Sequence, residues 1–305
     1  MILPVLVAGA HRTGTTWVGR MLAASPQTAY ISEPLNVLHR PGVFSSRVLF
    51  WYTYICEENE ADFLPSFHEL LNFRYHWFAE LKSLRSRKDF LGMGRDAGIF
   101  IRGAFLHQRP LIKDPFAVFS LPWFAGTLNS QIVVTVRHPA AFASSLKRLG
   151  WSFDFNDLLN QPLLMRDHLD PFRVNMQSIA SDDILGQASL LWTMIYRFVR
   201  AACMKIPSIR VIRHEDLSLD PSAGFRKLYA ELGLNFTPSV ERRILDSSSS
   251  ENPAELSTKK VHSVKLDSRA NLDNWKHRLS SGEIDRIRRE TEEVSYLYYP
   301  EVAWN

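Results

Sequence analysis

The stretch LPVLVAGAHRTGTTWVGRML, Leu3–Leu22, decides how this chain folds. Leu3 to Ala8 is a short apolar run that stops at Gly9 and reads as a buried strand. From Thr15 onward apolar residues recur at helical spacing through Ala24, and Pro26 ends that helix. Strand, glycine turn and helix therefore follow one another. Gly9 and Gly14 stand at the spacing of the phosphate loop G-x-x-x-x-G-K-[ST], but its lysine position is Thr15, and the loop offers Arg12 instead. A helix N-terminus presents free backbone N–H groups and a positive dipole end. Thr13, Gly14, Thr15 and Thr16 would surround an anion with amides and hydroxyls, while Arg12 adds a planar fork for two of its oxygens. No hydrophobic strand ends in an Asp that would hold Mg²⁺; Val136 leads into Arg137 instead. The loop reads as a cradle for a small anion held without metal. Taken alone, the two glycines are equally explained by a tight structural turn.

Outward from the loop, Pro110–Asp114 reads as a second strand and Gln131–Val136 as the clearest strand of the chain, β-branched and continuous. Ile209–Arg213 is a further strand. Helices are expected over 140–149, 184–204, 221–232, 238–246 and 268–292, and residues 50–85 are aromatic-rich with a mostly helical period. Residues 247–265, rich in Ser, Lys and Asn, read as a mobile loop. Strands alternating with helices give an α/β class, an open parallel sheet with helices on both faces. The 305 residues suffice for one large domain or two small ones. With 46% hydrophobic and 22% charged residues the composition is that of a globular protein. A net charge of +4 suits an anionic ligand, but the basic residues are scattered. The run Arg286–Arg289 reads as a solvated helix face, which argues against nucleic acid. Two distant cysteines, Cys56 and Cys203, lack metal-ligand spacing and exclude a disulfide framework. No run of about 18 apolar residues predicts a membrane span, the N-terminal MILPVLVAG is too short for a signal segment, and a cytoplasmic location is expected.

A second motif follows the strongest strand. Arg137 stands at its carboxyl end, where doubly wound sheets bind ligands, and Ser145 lies eight residues on, in the next helix. An arginine and a hydroxyl so placed can share a second phosphate; a capping arginine and a surface serine are the simpler alternative.

With these two motifs the chain resembles the sulfotransferases that use 3′-phosphoadenosine 5′-phosphosulfate. GAHRTGTTW (9–17) looks like their 5′-phosphosulfate loop, and VTVRHPAAFASSL (134–146) like their 3′-phosphate strand and helix. PLIKDP (110–115) is similar to the strand between them, RHEDL (213–217) to a segment near the adenine, and SRANLDNWK (268–276) to the loop that closes on the 3′-phosphate. Arg12, where cytosolic small-molecule members carry lysine, and Glu33 in ASPQTAYISEP resemble the carbohydrate and tyrosyl-protein members. The resemblance implies a P-loop-like fold in a single domain over 1–305, with residues 40–108 and 150–182 as helical insertions around the acceptor.

It also implies roles. Arg12 and the loop amides would hold the 5′-phosphate and its developing charge, Lys113 would reach the sulfuryl or bridging oxygen, and Glu33 would take the acceptor proton. Trp17 would pack on the adenine and His214 contact it. Arg137, Ser145 and Arg269 would hold the 3′-phosphate, although Ala270 replaces the glycine of the family loop. Pro115 stands where the small-molecule members have a histidine, which leaves Glu33 as the base, with His11, His107 and His138 as rivals and a plain loop role before Pro34 as the alternative. Sulfuryl transfer would proceed in line, releasing adenosine 3′,5′-bisphosphate without a metal, to a hydroxyl of a carbohydrate or glycoconjugate. A P-loop kinase of small molecules, and a non-catalytic binder of the bisphosphate, are the competing functions.

Overall fold

Five strands pair in parallel in the order β2–β3–β1–β4–β5, where β1 is Val5–Gly9, β2 Thr28–Ser32, β3 Arg109–Lys113, β4 Gln131–Val136 and β5 Arg210–Arg213. The computed structural model describes residues 3–255 and 264–304. β1 lies in the middle: Leu6 stands opposite Ile112 on one side and Ile132 on the other. Parallel strands are covered on both faces, so their side chains need not alternate in polarity. All of VLVAG and all but the first residue of QIVVTV are buried accordingly.

The two faces feed two cores. Leu6, Ala8, Ile132, Val134 and Val136 pack with the helices Pro139–Leu149 and Ile184–Lys205, while Val5, Val7, Leu111 and Val133 pack with Trp17, Met21, Phe225 and Leu228. Successive strand residues point to opposite faces, which divides β1 between the cores. Among the described residues no helix is long and apolar enough to cross a membrane.

Several expectations shift. The first strand begins at Val5 rather than Leu3, and its helix, Thr15–Leu22, stops before Ala24. β2 was not read from the sequence. Within 50–85 the helices are only Leu64–Leu71 and Trp77–Ser83, apart from a short 3-10 turn at Glu60–Asp62, and the aromatics of 50–54 lie in irregular chain. The expected 268–292 helix is two, Asn274–Arg278 and Ser281–Ser295, because Ser280 caps a fresh start with Glu283 in a capping box. Of the expected loop, 247–248 close the helix Pro238–Ser248, and 256–263 lie outside the described residues.

The topology matters for chemistry because every strand ends at the same edge. Beyond the carboxyl ends of β1 to β5 come, in turn, the Ala10–Gly14 loop, Glu33, Asp114, Arg137 and His214. An open parallel sheet offers its ligand site at that edge.

Candidate active site

The loop after β1 is held from three sides. Tyr196 donates its hydroxyl to Thr135 O (2.8 Å) and accepts from Ala10 N (3.3 Å). Thr13 is fully buried, donates to Ala10 O at 2.5 Å and meets Thr135 Oγ1 at 2.9 Å. Its hydroxyl therefore braces the loop and does not line the cavity above it. Gly9 has φ 142° and Gly14 φ 93°. A Cβ on Gly9 would stand 2.4 Å from Thr135 O, and one on Gly14 2.6 Å from His214 Nδ1, so both positions need glycine twice over. Arg12 (φ 66°) is left-handed without being glycine, as is Glu33 (φ 51°). Such backbone costs of order 1–3 kcal/mol each and persists where the surroundings impose it.

Glu33 follows β2, and its N–H donates to Lys113 O at 2.8 Å. Its carboxylate pairs with Lys113 Nζ through Oε1 and accepts from Asn36 Nδ2 (2.7 Å) through Oε2. The Lys113 side chain is 2% exposed and Glu33's 20%, so the lysine is sealed behind a carboxylate that faces the cavity. Next to them Asp114 is fully buried and accepts from Leu35 N (2.6 Å) and Phe116 N (2.9 Å), which fixes the chain on either side of the pair. Burial, then the nearby Glu33 charge, pushes Asp114 up to about 7.

These residues open on a cavity of about 630 Å³. Four arginines line it: Arg12, Arg137, Arg148 and Arg278. Burial first, then Arg137 and Arg148, lowers Arg12 to about 10; the Arg137 and Arg278 guanidiniums are lowered too, each with Arg148 among the causes. Guanidiniums close enough to repel one another form a site awaiting an anion. Arg12 Nε donates to Ser145 Oγ (3.3 Å) and Arg137 Nη1 to Arg12 O (3.3 Å), so the structure brings Arg12, Arg137 and Ser145 together. Trp17 and His214 also line the cavity, their rings edge-to-face at 5.7 Å. Burial, reinforced by Arg137, lowers His214 to about 3, and its Nδ1 finds no hydrogen-bond partner among the described residues. A neutral, buried, unpartnered ring nitrogen at the cavity wall fits a ligand that brings its own polar edge.

Arg269 stands apart. Its Nε and Nη2 donate to Leu219 O (3.1 and 2.7 Å), and it is not among the lining residues. The cavity receives Arg148 and Arg278 instead, both joined to Glu255. Sequence reading passed over these two because they end helices in KRL and KHR, runs that look like ordinary solvated termini.

The rival histidines differ in place. His11 lines the cavity with Nδ1 on Tyr52 OH (2.6 Å), and burial, aided by Arg12, lowers it to about 4. His138 is packed between Trp275 (ring centroids 5.0 Å) and Trp304 (4.3 Å) and lowered to about 3, chiefly by burial. His107 sits before β3, at the opposite edge of the sheet. Trp275 is buried and serves as packing for His138.

Comparison with known proteins decides the family. The description "Sulfotransferase family" matches residues 4–238. The chain belongs to the sulfotransferase family. This sulfotransferase is 24% identical to human carbohydrate sulfotransferase 5, over 93% of its own length and 74% of the relative's. It is 23% identical to human carbohydrate sulfotransferase 6, over 93% and 77%. Among solved structures, the sulfotransferase domain from the curacin biosynthetic pathway covers 96% of the chain and 98% of that domain, with a TM-score of 0.48 and 16% identity. The enzyme is thus a sulfotransferase, nearer to carbohydrate types in sequence, and its family implies 3′-phosphoadenosine 5′-phosphosulfate as co-substrate. The kinase and the non-catalytic binder fall with that assignment. The cavity suits such a donor: four arginines and Ser145 for phosphate oxygens, and Trp17 with His214, whose Nδ1 has no hydrogen-bond partner among the described residues, for a base.

The rest of the sulfotransferase cavity is of another character. Trp51, Tyr52, Phe116, Trp151 and Phe153 line it with Asp154 and Asp157. Trp51 and Phe116 lie 4.5 Å apart, and Arg12 stands over Trp151 at 5.8 Å, which joins this aromatic wall to the arginine end.

Proposed function

We propose that this sulfotransferase moves a sulfuryl group from 3′-phosphoadenosine 5′-phosphosulfate to a carbohydrate hydroxyl, in line, with Glu33 as the base. The observation that carries the reading is the Glu33–Lys113 pair at the cavity wall, in a cavity shared by an arginine end and an aromatic wall. When bound, the donor supplies a sulfuryl group on a phosphate leaving group.

The chain's own residues would do the rest. Arg12, held near Ser145, and the amides at Gly14–Thr16 bind the phosphate and meet the charge that grows on it. Arg137 and Ser145 take the distal phosphate, with Arg148 and Arg278 beside them. Glu33 accepts the acceptor's proton where its carboxylate lines the cavity, and Lys113, sealed behind it, would meet negative charge on the transferred group only once that carboxylate moves aside. Fixing both partners in one cleft supplies most of what the reaction needs. The acceptor class rests on the aromatic wall: a sugar offers apolar C–H faces to rings and hydroxyls to carboxylates, and Trp51, Phe116, Asp154 and Asp157 offer both kinds of partner. The carbohydrate sulfotransferases among the relatives support it.

Incubation with donor labelled in its sulfuryl group, across glycans, phenols, steroids and lipids, tests the reading. Label is expected on glycan hydroxyls. Transfer to phenols or steroids with none to any glycan would remove the carbohydrate acceptor.

A further inference from the structure

We propose that the acceptor is a sugar without negative charge near its reacting hydroxyl, because Asp154 and Asp157 make the acceptor end of the cavity an acidic filter. The inference rests on the carbohydrate reading and narrows it.

Among the described residues the arginines of the cavity neighbour one another, and Asp157 borders the aromatic wall at Trp51. Arg12, Arg137, Arg148 and Arg278 repel one another at one end. Glu33, Asp154 and Asp157 are the carboxylates lining the cavity apart from Glu255, which is bound to Arg148 and Arg278. Glu33 has Lys113 as its counter-charge. Asp154 and Asp157 have no ion pair among the described residues. Asp157 accepts from Trp51 N (3.1 Å) through Oδ1, and Asp154 from Asn156 N (3.0 Å) through Oδ1. Backbone amides therefore orient both side chains and leave their second oxygens for another donor. Burial, with a smaller push from the neighbouring Asp154, raises Asp157 above the ordinary aspartate value.

Two neighbouring carboxylates with no cation paired to them among the described residues can accept hydrogen bonds from sugar hydroxyls. The same pair repels a uronate or an existing sulfate ester, and a repulsive element of this kind sets specificity by excluding the wrong partner. The arginine end offers no escape for such an acceptor, since the donor's phosphates take it on the proposed reading.

The experiment uses one glycan in two forms, neutral and with a uronic acid or sulfate on the neighbouring residue, and compares kcat/KM. The neutral form is expected to win by about tenfold or more, the scale of one like-charge contact at a partly screened site. Asp154→Asn, Asp157→Asn and the double variant should shrink that ratio toward one. Binding of adenosine 3′,5′-bisphosphate to each variant shows that it is folded, and the half-exposed Asp154 keeps one informative variant should Asp157→Asn fail to fold. Equal or better use of the anionic glycan by the wild type, or an unchanged ratio in a folded double variant, overturns the filter while leaving the carbohydrate reading standing. If neither glycan accepts label, the carbohydrate reading falls first and takes the filter with it.

Discussion

At the scale of single residues, the site depends on side chains whose backbones are out of their comfortable region. Glu33, at φ 51°, is the one to which the proposed mechanism gives the acceptor's proton. Glu33→Gln keeps the shape of the side chain and loses the proton acceptor together with the charge that faces buried Lys113, so its unfolding free energy is measured beside its turnover. Turnover is expected to drop by roughly 10²–10⁴-fold, with bisphosphate affinity within a few-fold of wild type by calorimetry; near-normal turnover would end the role. Titration gives a second expectation. His11, His138 and His214 are lowered from 6.5 to about 4, 3 and 3, and the stability they contribute is complete above pH 6.5 and lost as pH falls below it. Asp114 is raised from 3.8 to about 7, and its contribution is complete below 3.8 and lost as pH rises toward 7. Between pH 4 and 6.5 three groups oppose one, so the unfolding free energy from urea titrations should fall on acidification, by about 1.4 kcal/mol per pH unit for each excess proton. Asp114→Asn should steepen that fall, besides costing one of two backbone hydrogen bonds at every pH. Sequence reading reached Arg12, Arg137 and Ser145 because they sit at fixed offsets from a glycine turn or a strand end. Arg148 and Arg278 carry no such offset. What brings them to the cavity is convergence across 130 residues of chain, which no local pattern encodes.

At the scale of elements, the junction of β1 with the helix Thr15–Leu22 is the most constrained point. Gly14 is both left-handed and in contact with His214, so Gly14→Ala must strain the turn, displace the ring, or both. A loss of about 1–3 kcal/mol in chemical denaturation is expected, with weakened bisphosphate binding beside it. Unchanged stability and affinity would show that the loop rearranges freely. The legible elements were those whose burial is written in the residues themselves. Gln131–Val136 is β-branched throughout, and Ile184–Lys205 spans 22 residues of helical period. β2 has only Ala29, Tyr30 and Ile31 as an apolar run, too short to declare itself. It is a strand because Arg109–Lys113, far along the chain, pairs with it residue by residue. The long helix Arg87–Phe105 was missed for another reason. Its glycines and charges blur the period, although the capping box of Ser86 with Asp89 marks its start.

At the scale of the whole molecule, five strand ends deliver the site to one edge of the sheet, and the ligand that bridges them should tie the two cores together. Adenosine 3′,5′-bisphosphate is expected to raise the melting temperature without added metal, by an amount equivalent to about 2.7 kcal/mol at a hundredfold excess over Kd. Stabilisation by ATP with Mg²⁺ and none by the bisphosphate would contradict the donor assignment. The charges that line the cavity also bear on how turnover would end. Transfer moves a neutral SO3 unit, so the nucleotide keeps its charge and the acceptor becomes an anion by giving up its hydroxyl proton. On the proposed reading that anion would stand beside Asp154 and Asp157, Glu33 having taken the proton, while the spent nucleotide would stay with the arginines that line the cavity. Nucleotide departure is then expected to set the pace, which a burst of sulfated product in the first turnover would show and a burst-free time course would contradict.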